Sequence, residues 1–226
     1  MVLLAGAIFT MPRGQSTWLV PRFFIPAGLV AVELVFMMVT TPPWRNRARD
    51  ETKFISQVLA VTDRADTIMD EKGETIFRIR PFYYGLETVA RNAIKRGEIA
   101  DDIPQHLIAS RTCVAVSDKN SGYSPQSRAF IEKNYLQVTR LRVVGIVFHS
   151  TTAATISFDI VIPARYAVVT RQGVARGQLD GEPYHGPLFL AAGHHEYRRA
   201  DGESASGILW AQAVERNFLP TEFQNP

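Results

Sequence analysis

Hydrophobic and polar positions divide this chain near residue 44. From Phe23 to Thr41 the sequence FFIPAGLVAVELVFMMVTT carries one charge, Glu33, in 19 residues. At ~1.5 Å rise per residue such a helix nearly matches the ~30 Å hydrocarbon core of a bilayer, so the pattern predicts a transmembrane helix over 23–41. Pro26 falls in its first turn, Pro42-Pro43 close it, and Trp18 and Trp44 bracket it as interfacial rings would. Glu33 reads as either a tolerated polar residue or one that faces other helices. Residues 1–11, MVLLAGAIFTM, are apolar but too short to span and lack a basic leader region. They read as the truncated tail of an earlier helix. Residues 1–44 are thus expected to be the membrane segment of a longer polytopic protein.

Beyond residue 44 the apolar positions become periodic. Phe54, Ile55, Val58 and Leu59 predict a helix near Asp50–Ala60. A strand Thr67–Met69, a turn Asp70–Gly73 and a strand Thr75–Ile79 come next. Leu86, Val89, Ala90 and Ile94 predict an amphipathic helix over Tyr83–Arg96, stopped by Gly97. Helices at Ile103–Ser110 and Pro125–Asn134 separate strands at Thr112–Ser117 and Leu141–Phe148. Strands alternating with helices argue for a small parallel α/β domain over 50–149. After His149, Ile156, Phe158, Ile160 and Ile162 alternate strictly with polar residues, which predicts a half-buried strand over Thr155–Ile162. Further strands at Tyr166–Thr170, Leu188–Ala191, His195–Arg199 and Ile208–Val214 complete an antiparallel, β-sandwich-like module over 150–226. The expected fold class is α/β plus all-β behind an N-terminal transmembrane helix.

Charge sharpens the division. Residues 1–44 hold only Arg13, Arg22 and Glu33 of all the charged side chains, whereas the net charge of +3 comes from Lys and Arg scattered among Asp and Glu further on. No basic stripe forms, so no nucleic-acid partner is expected. Arg45, Arg47 and Arg49 after the apolar run, against Arg13 and Arg22 before it, favour a cytoplasmic location for the region after residue 50, although long domains translocate regardless of such charges. Cys113 is the only cysteine, which excludes an intramolecular disulfide and a multi-cysteine zinc site. Within Cys113-Val114-Ala115-Val116 it reads as a buried strand thiol.

The densest charged cluster between two strand signals is Asp70, Lys72, Glu74, Arg78 and Arg80. Arg78 and Arg80 occupy alternate strand positions and so share one face, and paired guanidinium groups suit bidentate capture of phosphate or carboxylate. Asp70, Lys72, Arg78 and Arg80 are therefore the candidate ligand-binding residues, with a hairpin turn and a solvated face as the plainer alternative. His185, His194, His195 and Glu196 raise a metal site, but adjacent strand residues point to opposite faces, and no metal or cofactor is expected. Asn120–Ser124 imitates a nucleophile motif but reads as a loop. No phosphate-binding glycine loop, nucleophile elbow or dinucleotide fingerprint occurs, and no catalytic residue is assigned.

MDEKGETIFRIRPFYY at Met69–Tyr84, RTCVAVSD at Arg111–Asp118 and FIEKNY at Phe130–Tyr135 resemble the C-terminal region of bacterial GT-C membrane glycosyltransferases. These are relatives of the dolichyl-phosphate-mannose protein mannosyltransferases and of the lipid A aminoarabinose transferase. IPARYAVV at Ile162–Val169, LDGEPYHGPLFLAAGHHEY at Leu179–Tyr197 and LWAQAVERNFLP at Leu209–Pro220 look like the β module that ends some of those chains. The resemblance covers roughly residues 20–220. It implies an accessory region of a transferase that takes a polyprenyl-phosphate sugar donor and a glycan acceptor at the bacterial inner membrane, in contact with membrane lipid. It also implies that the region after residue 50 is periplasmic, against the charge signal. The acidic catalytic loop of such enzymes has no counterpart here, so the chain is expected to be inactive alone. The rival reading is a membrane-tethered glycan- or protein-binding envelope module, and a third is a structural envelope protein.

Overall fold

The computed structural model describes residues 19–40, 47–71, 73, 75–82, 85, 88–116, 122–148, 154–170, 173–200, 205–220 and 223. The chain forms two compact units, Met1–Asp50 and Glu51–Pro226.

In the first unit, helix α1 runs Leu19–Thr40 with Pro26 inside it. Its side chains are described from Pro26 onward, and those from Ala27 to Thr40 are exposed. Among the described residues no helix is long and apolar enough to cross a membrane, which corrects the expected transmembrane helix over 23–41. The physical reason is composition: Arg22, Pro26 and Glu33 interrupt the apolar run of its 22 residues. The expected helix tail at 1–11 and the residues Trp18 and Trp44 lie outside the described residues.

The second unit is built on sheets. In chain order its elements start with α2 (Arg47–Val61), β1 (Ile68–Met69), α3 (Thr88–Lys95), α4 (Ile103–Ala109), β2 (Val114–Val116), α5 (Pro125–Asn134), β3 (Tyr135–Val138) and β4 (Leu141–Val147). These are followed by β5 (Thr155–Ile160), β6 (Ala164–Thr170), β7 (Gly173–Val174), β8 (Gly177–Leu179), β9 (Glu182–Tyr184) and β10 (Leu188–Leu190). β11 (Gly193–Arg199), β12 (Ala205–Trp210) and α6 (Ala211–Glu215) end the series. An eight-stranded sheet has the order β1-β2-β4-β12-β6-β10, with β3 beside β4 and β7 beside β6, and a four-stranded sheet has the order β5-β11-β8-β9.

The parallel α/β domain expected over 50–149 is corrected as well. Among the described strands only β1 and β2 pair in parallel, whereas β2–β4, β4–β12, β12–β6 and β6–β10 are antiparallel. α3 and α4 form a true crossover between parallel neighbours, but α5 leads into β3, which turns back on β4. Strands from both sides of residue 149 share the larger sheet, because β12 pairs with β4 on one side and β6 on the other. That pairing is close: a Cβ on Gly145 would sit 2.7 Å from the carbonyl oxygen of Ile208, so glycine is needed there.

Local chemistry explains the helices and the departures. Ser124 accepts a hydrogen bond from the Ser127 amide at 3.1 Å, and Pro125 opens α5 behind it, a standard N-cap. α2 buries Phe54, Val58 and Val61, one apolar stripe, and leaves Leu59 42% exposed. The strand expected at Thr75–Ile79 is a turn with a single parallel bridge from Ile79 to Thr67. The strand expected over Ile208–Val214 ends at Trp210, and the helix formers after it make α6. The core is contiguous, running from Ile68 and Val114 through Val143 and Ile208 to Val168 and Tyr197.

Candidate functional site

In the 70–80 segment the candidate ligand-binding residues Asp70, Arg78 and Arg80 make hydrogen bonds within the fold. Asp70 is buried, and its carboxylate accepts hydrogen bonds from Gly73 N at 3.1 Å, Thr75 N at 2.6 Å and Thr75 Oγ1 at 2.9 Å. Three donors on one carboxylate close the turn after β1. Arg78 donates to Thr62 Oγ1 and to the Thr62 carbonyl, both at 2.8 Å, and to the Phe77 carbonyl at 3.1 Å, which ties the turn to the end of α2. Arg80 donates to the Asp70 carbonyl at 2.7 Å and lies 5.8 Å from the ring centre of Phe82. With no strand at 75–79, Arg78 and Arg80 do not share the expected face. Lys72 lies outside the described residues.

The histidines also separate. His194 Nδ1 lies 3.0 Å from Asp159, directly across the β5–β11 pair, and His195 Nδ1 lies 2.7 Å from Asp180. His195 Nε2 is 3.0 Å from the Ala191 carbonyl, and its ring stacks on Phe158. Burial lowers the His195 pKa, but the bonds to Asp180 and Ala191 and the charges of Asp180 and Asp159 outweigh it, leaving the imidazole above its ordinary value. Burial pushes Asp180 up, yet the bonds from His195 and the Glu196 amide and the charges of His195 and His194 prevail and leave it lowered. Among the described residues no three potential metal ligands come together.

A different place has the geometry of a site. At one end of the larger sheet, a cleft of about 290 Å³ opens where the starts of β1, β2 and β6 meet the end of β12. Asp66 lies on one side, and its Oδ2 accepts from Asp63 N at 2.6 Å and from Gln212 Nε2 at 2.8 Å. Gln212 also donates to the Val61 carbonyl at 3.0 Å, so α6 is pinned to the end of α2 across the cleft. On another side, Thr112 Oγ1 lies 2.8 Å from Thr67 Oγ1 and 2.7 Å from Ser110 Oγ, a hydroxyl chain that joins the end of α4 to the start of β1. Phe189 supplies an aromatic wall that is 55% exposed. It pairs directly with Arg165 across β10 and β6, so both side chains stand on one face, and the Arg111 guanidinium lies 5.9 Å from its ring centre. Arg165 forms an ion pair with Glu215 at 2.8 Å.

Cys113 lines the same cleft as a buried thiol. Burial, with a smaller push from the Asp66 charge, moves its thiol up to about 12, far from the thiolate state at neutral pH. The cleft offers an aromatic surface, guanidinium and hydroxyl donors, and carboxylate and amide acceptors. Such a set has the chemistry to hold a small polyhydroxylated ligand, with apolar C–H faces on the ring and hydroxyls at the edge. None of Asp66, Arg111, Arg165, Phe189 or Gln212 stands out in the sequence, because each comes from a different segment.

Comparison with protein families, with curated proteins and with solved structures gives no match to this chain.

Proposed function

We propose that Glu51–Pro226 is a saccharide-binding accessory region of a polyprenyl-phosphate-sugar-dependent glycosyltransferase at the bacterial inner membrane, positioned on its periplasmic face. It holds a glycan while the chemistry takes place elsewhere. The cleft beside Phe189 carries the saccharide half of this reading: about 290 Å³ suits one or two sugar rings, and the wall combines an exposed ring with hydrogen-bonding groups of both signs. The resemblance of Met69–Tyr84 and Arg111–Asp118 to the end region of such transferases supports the enzymatic context. Contact with a lipid-linked donor and with membrane lipid belongs to the same proposal. A glycan-binding envelope module without an enzymatic partner would use the same cleft, and the cleft favours both over a purely structural envelope protein.

The test uses the full chain in mild detergent, because α1 exposes large apolar side chains such as Val39 and Phe36. Saturation-transfer NMR against a panel of mono- and disaccharides should show contacts in the wild type and about tenfold weaker binding in Phe189→Ala, the loss expected for one aromatic contact. Absence of binding across the panel would overturn the saccharide reading. Sugar transfer by this chain alone from a polyprenyl-phosphate donor would overturn the accessory reading.

A further inference from the structure

Three helices of this unit end in one hydrogen-bond pattern. After α3, Gly97 N donates to the Ile94 carbonyl at 3.0 Å and Glu98 N to the Ala93 carbonyl at 2.9 Å. After α6, Asn217 N donates to the Val214 carbonyl at 3.0 Å and Phe218 N to the Ala213 carbonyl at 2.8 Å. After α4, Arg111 N donates to the Ile108 carbonyl at 3.1 Å and Thr112 N to the Leu107 carbonyl at 2.9 Å. Each is a Schellman cap, whose central residue adopts left-handed backbone, with φ of 74° at Gly97, 61° at Asn217 and 50° at Arg111. Glycine tolerates that conformation freely and asparagine well, whereas arginine adopts it under strain. The cap needs only a backbone, and the arginine side chain stands there against local preference.

Position 111 is set apart by where its side chain goes. Arg111 lines the cleft with its guanidinium over Phe189, and among the described residues its side chain donates no hydrogen bond and joins no ion pair. Strain at a ligand-facing residue is a reason to look for a ligand. The neighbouring charges define that ligand's valence. With Arg165 paired to Glu215, and Arg111 and Asp66 in the same cleft, the formal charges of these four groups sum to zero, so a ligand of one negative charge is opposed less than one of two, and the Arg111 fork is the group that attracts it. We infer that the cleft binds a sugar unit bearing a carboxylate, a uronic acid residue, with Arg111 taking the carboxylate in its planar fork and Phe189 packing on the ring. This rests on the saccharide reading above and names its ligand class.

The strained cap supplies its own control. Arg111→Gly and Arg111→Asn install at this position the residues that occupy it after α3 and α6, so both variants should melt at or above the wild-type temperature. The full chain should bind glucuronate at least about tenfold more tightly than glucose, the size of one charge-assisted hydrogen bond, and both variants should lose that preference while still binding glucose. Equal binding of glucuronate and glucose, or a preference that survives both replacements, would overturn the carboxylate assignment and leave saccharide binding standing. Tighter binding of glucose 1-phosphate than of glucuronate would overturn it in favour of a phosphate-bearing sugar. Failure of every sugar to bind would remove both readings.

Discussion

Two arginine-bearing regions of this molecule look alike in composition and differ in what their guanidinium groups touch. In the 70–80 segment, Arg78 and Arg80 are two residues apart and donate to main-chain oxygens of Thr62, Phe77 and Asp70. In the cleft, Arg111 and Arg165 are 54 positions apart in sequence, yet they approach the same exposed ring, one above Phe189 and one across the strand pair from it. Nearness in sequence produced a brace for a turn. Nearness through the sheet produced an open cleft wall. Paired arginines point to an anion only when their donors are not already committed to the backbone.

The largest effect should come from the brace. Asp70→Ala removes the acceptor of three hydrogen bonds from a buried turn and should lower stability by about 2–4 kcal/mol, or roughly 5–15 °C in melting temperature for a unit of this size. Calorimetry checks this, and a shift below about 2 °C would mean that the turn closes without its carboxylate. Next in size, replacing Arg78 and Arg80 by Gln should cost about 1–2 kcal/mol of stability and leave saccharide binding in the cleft unchanged. Weakened binding at unchanged melting would return the ligand role to this pair and dissolve the contrast.

The smallest effect belongs to the histidine pairs of the four-stranded sheet. His195 is raised and Asp180 lowered. A raised histidine stabilises the fold fully below its unfolded value of about 6.5 and loses that contribution as pH rises through the folded value. A lowered carboxylate stabilises above its unfolded value of about 3.9 and loses that contribution as pH falls through the folded value. Stability should therefore be greatest between about pH 4 and 6.5, with a fall of less than about 1 kcal/mol toward pH 9, because both side chains are reached by solvent. Urea titrations at several pH values should show that His195→Gln flattens the alkaline limb, and an unchanged limb would assign it to other groups.

Much of the local structure is legible because single residues dictate it. Ser124-Pro125 marks the start of α5, and the alternation at Phe158 and Ile160 marks β5, where both residues are buried. Legibility fails where one local pattern serves two global arrangements. A helix between two strands suggests a parallel crossover, but α5 is followed by β3, and β3 and β4 form a hairpin instead. The run Ile208–Val214 reads as one strand because its apolar residues continue past Trp210, whereas the helix formers there make α6 and the pairing with β6 reaches Tyr166 opposite Trp210. The transmembrane expectation rested on a run of apolar letters, whereas α1 carries Arg22, Pro26 and Glu33, and among the described residues no helix is long and apolar enough to cross a membrane. The cleft was not legible, since Asp66, Arg111, Arg165, Phe189 and Gln212 meet only when the sheet closes. One clue was present: the helix before Arg111 ends without the glycine that ends the helix before Gly97.

The position of β12 bears on how the chain is made as well as on how it is held. This strand sits between β4 and β6 but reaches Trp210 only 63 residues after β4 ends at Val147. At ~5–20 residues per second, a ribosome needs about 3–13 s to supply those residues. During that interval β4, and β6 once residue 170 is made, present an unpaired row of amides and carbonyls, the kind of edge that recruits another strand. The nascent polypeptide therefore passes through a window in which a buried future interface is an exposed strand edge. Slow decoding after residue 170 would lengthen the window, and a chaperone that shields strand edges would protect the yield.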